Sequence, residues 1–158
     1  MSLQAPASAR RAAGLVRADL PGLTRLPRLW RFLVAAVVAI GLSLVVCAVV
    51  ATATRALDPA VAGYGHLRAP DWAKLTIIGI ALASLGWPLA CAIWSRARMP
   101  FLVLTVVVTV VSFVPDLWIL RQGQPAAGVL ALVVMHVAVA VVTYPALVLI
   151  APQPRRGR

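Results

Sequence analysis

The chain has 158 residues, of which 62% are hydrophobic and 12% charged, and it carries a formal net charge of +11. Its mean hydropathy is +0.95. In a soluble domain about half of the residues are apolar and about a quarter are charged. This composition excludes an ordinary water-soluble domain. It indicates an integral membrane protein, in which the bilayer takes the place of a buried core.

The first 31 residues form a basic segment in which arginines alternate with leucines and Trp30. Pro21 and Pro27 exclude one long amphipathic helix, so we predict a partly disordered tail with short segments at the membrane surface. Two interpretations stay open. The tail binds anionic lipid headgroups, or its arginines serve only as a topology signal.

Four apolar segments follow, each of about the 20 residues that a bilayer-spanning helix needs. None alternates with the period of two that is typical of a barrel strand, so helices are expected. The sequence therefore predicts an all-α bundle of four transmembrane helices within residues 32–151, followed by a basic tail at residues 152–158. The predicted spans are residues 32–54, 72–94, 100–120 and 126–151.

The second span carries small residues on one side. Gly79, Ala83, Gly86 and Ala90 recur at steps of four, three and four, which places them on one helix face. Small side chains let another helix approach closely. We therefore predict that this face packs against a neighbouring helix.

The third span carries a polar stripe, in which Thr105, Thr109, Ser112 and Asp116 recur at the same steps. The stripe crosses most of the membrane and ends in a carboxylate. Two interpretations stay open. The hydroxyls bond the carbonyls of their own helix and help helices pack, or the stripe lines a hydrated path.

His136 lies in the apolar stretch "LVVMHVAVAVV" of the fourth span, about ten residues and roughly 15 Å from its first residue. Asp116 lies about one turn from the end of the third span, which predicts an offset of roughly 7 Å along the membrane normal. Direct contact then requires helix tilt or an irregularity at Pro115, and a water bridge is easier. Because an ionisable group at this depth is costly, we predict a candidate intramembrane polar site of His136 and the stripe. A neutral, hydrogen-bonded histidine with a structural role is the alternative.

Arginines set the expected orientation. Four helices that alternate in direction place eleven of the 15 basic residues on the side of the two termini. The other side keeps Arg55, Arg68, Lys74 and Arg121. The positive-inside rule then predicts that both termini are cytoplasmic. Because the basic residues flank membrane spans, nucleic-acid binding is not expected.

Catalytic and metal-binding patterns are scarce. The chain has no glutamate or asparagine, no phosphate-binding loop and no nucleophile elbow. Cys47 and Cys91 are expected in opposite leaflets, which excludes a disulfide between them. The loop after the first span holds Tyr64 and His66, and we expect it to lie on the surface near the headgroups. The sequence therefore predicts no enzyme, no cofactor and no metal.

Three segments carry a family resemblance: "ASLGWPLACAIWSRAR", "TVVVTVVSFVPDL" and "LALVVMHVAVAVVTYPAL". They resemble an uncharacterised family of small four-helix membrane proteins found mainly in actinobacteria. Trp87, the pair Ser112 and Pro115, and the pair Met135 and His136 match its motifs. The resemblance covers roughly residues 28–150. Asp116 departs from it, because an apolar or small residue often follows that proline. No activity is assigned to the family, so the resemblance implies an architecture and no reaction.

These observations predict a multi-pass protein of a bacterial plasma membrane with three functional hypotheses. The leading one is a non-enzymatic accessory or structural component, as a homo-oligomer or in a larger complex. The alternative is a small proton-coupled transporter or permeation subunit that uses His136 and the third-span stripe. An enzyme acting on lipid or quinone lacks a convincing catalytic pair. Convergence of the stripe and His136 on one hydrated cavity would favour transport.

Overall fold

The computed structural model describes residues 18–20, 22–61 and 63–154. Within these residues the chain forms four long helices and no strand. All four are long and apolar enough to cross a membrane, which confirms the predicted all-α architecture. They are α1 (Leu29–Leu57), α2 (Ala69–Ile93), α3 (Arg98–Arg121) and α4 (Ala126–Pro145). Most of the predicted basic tails, residues 1–17 and 155–158, lies outside the described residues.

Prolines and a glycine set several helix ends. Pro70 occupies the first turn of α2, where its missing N–H costs no helical hydrogen bond. Gly123 has a φ of 83°, in the left-handed region, and turns the chain sharply between α3 and α4. After Pro145 the fourth helix continues as a π-helical turn, Ala146–Ile150, because proline interrupts the regular hydrogen-bond series.

The two ends of the bundle have different makeup. The end that we call the termini end holds residues 18–20 and 22–28, the turn at residues 94–97 and residues 151–154. The opposite end, here the loop end, holds residues 58–61 and 63–68 and the turn at residues 122–125. Helix α4 packs against both α1 and α3, and α3 is the most exposed of the four helices. The bundle therefore has a three-helix core of α1, α2 and α4, with α3 along its side.

A stripe of small residues on α1 forms the centre of the packing. One residue in every four is buried along the whole helix, and each has a small side chain. The five are Ala35, Ala39, Ser43, Cys47 and Ala51. Because these side chains are short, α2 and α4 approach α1 closely.

Within the chain, only part of the predicted packing face of α2 is in contact. Gly79 and Ala83 are exposed, and nothing within 4 Å would meet a Cβ added at Gly79. Ala90 is buried, and Gly86 lies against Phe101 and Leu104. The buried face of α2 instead carries larger side chains at Ile80, Ser84, Trp87 and Cys91. The physical reason is complementarity: the small residues of α1 leave space that large side chains of α2 fill, so that dispersion contacts are kept.

Candidate functional site

A histidine and an aspartate from adjacent helices meet inside the bundle. Nδ1 of His136 on α4 lies 3.1 Å from Oδ2 of Asp116 on α3. The Asp116 side chain is 6% exposed and that of His136 is 39% exposed. The buried member of the pair is thus the acid, and the imidazole lies between it and the surface.

The offset of roughly 7 Å predicted from helix rise is closed by the side chains. In a helix each Cα–Cβ bond tilts toward the N-terminus of its own helix. The N-terminus of α4 lies at the loop end and that of α3 at the termini end. His136 and Asp116 therefore lean toward each other along the bundle axis. Because α3 and α4 run in opposite directions, the two side chains reach each other although their Cα atoms are offset along the bundle axis.

The hydrogen bond of His136 determines which ring nitrogen is occupied. Nδ1 lies 2.9 Å from the carbonyl oxygen of Leu132, one turn earlier on α4. Because a carbonyl only accepts, Nδ1 carries the proton and donates it. Oδ2 of Asp116 is a close electrostatic neighbour of this N–H, although the angle between them does not make a hydrogen bond. The ring of Phe113 stands edge-on to the imidazole, with centroids 6.3 Å apart.

The loop between α1 and α2 folds onto the first half of α4. Tyr64 is only 7% exposed, and its ring covers Gly128 on α4 so closely that an added Cβ would lie 2.6 Å from it. His66 stands edge-on to the Tyr64 ring at 5.3 Å. Burial, and then the nearby Asp116 carboxylate, raise the pKa of the Tyr64 phenol above its ordinary value. The expectation of a surface loop is therefore wrong at Tyr64, because the glycine on α4 leaves a recess that the ring fills.

Several buried polar atoms at the loop end have no hydrogen-bond partner among the described residues. They belong to four side chains, and Asp116 Oδ2 is the only acceptor-only atom among them. The atoms are Nε of Arg55, Oη of Tyr64, Nε1 of Trp72 and Oδ2 of Asp116. Arg55 is otherwise engaged, since its Nη2 donates to the carbonyl of Leu67. The loop end thus gathers hydrogen-bonding capacity that the protein itself leaves unused.

The hydroxyl stripe of α3 does not join this cluster. Thr105 donates to the carbonyl of Phe101 at 2.8 Å, Thr109 to that of Thr105 at 2.8 Å, and Ser112 to that of Thr109 at 2.7 Å. Each hydroxyl is satisfied by its own helix, which agrees with the intrahelical bonding of the first interpretation. Of the five predicted site residues, the structure brings only Asp116 and His136 together.

At the termini end, the turn at residues 94–97 is held from two sides. The side-chain amide of Gln153 accepts from the Ala97 N–H at 3.2 Å and donates to the carbonyls of Cys91 at 3.1 Å and Trp94 at 2.7 Å. Asp19 accepts from the Ser95 N–H at 2.7 Å, and Arg25 donates to the Ser95 carbonyl at 3.3 Å. These contacts join residues 56 to 76 positions apart, and no local pattern in the sequence indicates them.

An aromatic cluster lies beneath that turn. Trp87 is fully buried and its indole N–H donates to the carbonyl of Ala151 at 2.7 Å. Its ring packs on Phe101 at 5.2 Å, which in turn stacks with Tyr144 at 5.7 Å. Trp87, noted from the family resemblance, is therefore a structural anchor of the termini end.

The cysteines and the metal-binding residue types form no shared centre. Cys47 packs with Ala51 near the loop end, whereas Cys91 packs with Ala35 near the termini end, so the predicted separation is confirmed. Among the described residues, no group of three or more His, Cys, Asp or Glu side chains is arranged to hold a metal ion. The chemistry of the loop end is therefore that of a His–Asp pair.

A family model matches residues 24–152, from the segment before α1 to just beyond the π-helical turn. The chain belongs to DUF6069, a family of unknown function. No curated protein and no solved structure matches the chain significantly. The predicted membership of an uncharacterised family is confirmed to that extent. Because DUF6069 carries no assigned activity, the function has to be argued from the geometry of the chain itself.

Proposed function

We propose that this protein is a non-enzymatic accessory or structural component of a bacterial plasma membrane. One observation supports this most directly: the hydroxyls of α3 bond to their own helix instead of facing His136. These hydroxyls are thus used within one helix, and the buried Trp87 indole holds two elements of the bundle together through Ala151. Four apolar helices fit a multi-pass protein.

Both termini are cytoplasmic in this proposal. The segments before α1 and after α4 meet on the same turn, so they share one end of the bundle. Described arginines at that end support the assignment through the positive-inside rule. They are Arg25, Arg28, Arg31, Arg96 and Arg98.

Orientation is testable with single reporter cysteines. Cys47 and Cys91 are fully buried, so they form a silent background. We expect a membrane-impermeant maleimide, added to intact cells, to label Gly63→Cys and to leave Pro154→Cys unlabelled until the membrane is opened. Early labelling of Pro154→Cys, with Gly63→Cys protected, would reverse the orientation.

A flux assay tests the accessory role against transport. We expect proteoliposomes with the wild type and with His136→Ala to show the same proton leak as empty vesicles. A pH-gradient-driven flux in the wild type that His136→Ala loses would replace the accessory role by permeation through the His136 and Asp116 pair. Thr105→Val is the matched control, because its hydroxyl is satisfied within α3.

Association with another copy is supported by the small residues that α2 leaves exposed. Gly79 and Ala83 are exposed, and a Cβ added at Gly79 meets nothing within 4 Å. Gly79→Leu should therefore keep the fold and weaken a homo-oligomer, measured by crosslinking in native membranes. Ile78→Leu, at an exposed neighbouring position, is the control. Equal crosslinking of both variants would argue against this face as the contact.

Anionic headgroups are the proposed lipid partner of the arginine-rich N-terminal segment. Trp30 is 61% exposed, and the Arg31 guanidinium lies 5.8 Å from its ring centroid. An indole with adjacent cations is typical of the interfacial zone. Replacing Arg28 and Arg31 by Gln should reduce binding of spin-labelled phosphatidylglycerol relative to phosphatidylcholine. An unchanged preference for phosphatidylglycerol would show that these arginines do not bind anionic headgroups and would leave them only a role in membrane topology.

A further inference from the structure

His136 is partly exposed at the side of the bundle, well inside the apolar length of α4. Its position, about ten residues along α4, corresponds to roughly 15 Å from the loop end. Ionisable side chains at such depth normally face the interior of a bundle or a wet cavity. The imidazole here is 39% exposed, between Asp116 behind it and the outer surface in front. A polar ring in this place presents unused hydrogen-bonding capacity to the hydrocarbon layer.

The nitrogen that remains available is Nε2. Nδ1 is taken by the Leu132 carbonyl and the neighbouring Asp116 carboxylate, and no partner of Nε2 lies among the described residues. With the proton on Nδ1, a neutral ring carries a lone pair on Nε2 and accepts a hydrogen bond there. A ligand at this position must therefore donate.

Two groups hold the ring from its other side. A carbonyl or carboxylate beside one nitrogen of a histidine fixes the tautomer and the ring orientation, so that the other nitrogen is presented to a ligand. Leu132 accepts from Nδ1, and Asp116 lies 3.1 Å from the same atom. A phenolic hydroxyl is more acidic than that of an aliphatic alcohol and donates the stronger hydrogen bond to such a lone pair. Phe113, edge-on to the imidazole, adds an aromatic surface at the same place.

We propose that His136 and Asp116 form a lateral binding site for the head group of a lipid-soluble quinol, whose phenolic hydroxyl donates to Nε2 of His136. The ligand has to dissolve in hydrocarbon, present a hydrogen-bond donor on an apolar body and pack against an aromatic edge, and a quinol combines these properties. The oxidised quinone offers only acceptor oxygens and binds less tightly to the neutral ring. This site goes beyond the proposed accessory role and does not depend on it.

Binding is tested on the full chain in phosphatidylcholine nanodiscs under argon. The ¹⁵N NMR signal of Nε2 is followed during titration with decylubiquinol, and His66→Gln assigns the signal to His136. We expect a saturable upfield shift with decylubiquinol. Binding should be about tenfold weaker with decylubiquinone, which lacks the donor, since one hydrogen bond corresponds to roughly a tenfold change. Dodecanol keeps a donor, but its hydroxyl is less acidic and it has no ring to pack against Phe113, so its binding should be weaker as well. No saturable shift, or equal affinity for dodecanol, would overturn the proposal.

Variants separate the site from simple partition into lipid. Saturable binding of decylubiquinol, measured by equilibrium partition, should disappear in His136→Leu and weaken about three- to tenfold in Asp116→Asn. Thr105 lies on the same face of α3 as Asp116, about 16 Å from it along the helix axis, so Thr105→Val should bind decylubiquinol as the wild type does. Equal binding by His136→Leu would overturn the proposal. Should that variant fail to fold, the wild-type titration still decides, and proton flux in proteoliposomes reports separately on the accessory role.

Discussion

The two ends of the bundle hold their polar groups differently. At the termini end, Gln153 and Asp19 satisfy the backbone of the turn at residues 94–97, and Trp87 donates to Ala151. At the loop end, Tyr64, Trp72 and Asp116 each keep a buried polar atom without a hydrogen-bond partner among the described residues. Ser84 and Thr143, in the halves of α2 and α4 toward the termini end, also keep one such hydroxyl each, so the difference lies in the turn that is held and not in a complete absence of unpartnered atoms.

The two ends of the bundle are therefore expected to respond differently to substitution. The termini end behaves as a structural clamp, in which chain segments far apart in sequence close one turn. The loop end holds the His–Asp pair and a recessed tyrosine. We expect substitutions at the termini end to change stability, and substitutions of His136 or Asp116 to change ligand binding as well.

The largest expected effect on stability is at the aromatic anchor. Trp87→Ala removes a fully buried indole and its bond to Ala151, which should lower the free energy of unfolding by about 3–5 kcal/mol. Unfolding in detergent micelles titrated with sodium dodecyl sulfate measures this. Trp118→Ala is the matched control, because Trp118 is 62% exposed. A similar decrease in the free energy of unfolding in both variants would show that the buried Trp87 does not stabilise the bundle more than an exposed tryptophan does.

The loop end should be sensitive to a single added methyl group. Gly128→Ala places a Cβ 2.6 Å from the Tyr64 ring, so the ring has to leave its recess. We expect a loss of about 1–3 kcal/mol in the free energy of unfolding, together with exposure of Tyr64 to solvent. Tyrosine absorbance at alkaline pH reports that exposure. Gly79→Ala, which meets nothing within 4 Å, should unfold as the wild type does.

The side-chain amide of Gln153 makes three of the hydrogen bonds that hold the turn at residues 94–97. Gln153→Ala leaves the Ala97 N–H and the carbonyls of Cys91 and Trp94 without this partner, which should cost about 1–3 kcal/mol. Chemical denaturation in micelles provides the measurement, with Gln124→Ala in the exposed turn at the loop end as the control. If the two glutamine variants were equally stable, the turn would be held by other contacts.

The smallest expected effect on stability concerns the hydrogen bond by which Asp19 of the N-terminal segment accepts from the Ser95 N–H, and this effect depends on pH. The hydrogen bond from Ser95 lowers the pKa of Asp19 below its ordinary 3.8. Because the pKa of Asp19 is lower in the folded than in the unfolded state, the ionised carboxylate stabilises the fold at pH values above the unfolded-state pKa. This contribution is lost as the pH falls through the folded-state pKa. The Ser95 amide signal in NMR should therefore hold constant at neutral pH and titrate below about pH 4.

Asp19→Asn provides the control for that titration. The variant keeps a side-chain oxygen that can accept from Ser95 but removes the ionisable group. Its Ser95 amide signal should no longer follow pH in the acidic range. A midpoint at or above 3.8 in the wild type would show that Ser95 does not stabilise the Asp19 carboxylate.

Much of the architecture follows from local chemistry that a sequence displays. A run of apolar residues such as residues 32–54 has to be helical in lipid, because only a helix satisfies its own backbone there. The hydroxyls of Thr105 and Thr109 bond within the same helix, so their preference is also local. The predicted helices were therefore found within a few residues of their observed ends.

The packing faces could not be predicted in the same way. Gly79 and Ala83 have the spacing of a contact face and are exposed, whereas the buried small-residue stripe runs along α1. In an apolar helix every face is hydrophobic, so the sequence pattern does not distinguish core from surface. Rotation about the helix axis depends on which neighbour has complementary side chains, as Trp87 and Ile80 have for the small residues of α1.

The apolar class of the chain, its four helices and one histidine far inside an apolar segment are all visible in the amino-acid sequence. The contact of His136 with Asp116, the burial of Tyr64 over Gly128 and the closing of a distant turn by Gln153 are visible only in the folded chain. The two groups of features differ in the sequence separation of the residues involved. Helix formation in lipid depends on neighbouring residues, whereas each of these contacts requires two elements to adopt one relative depth and rotation.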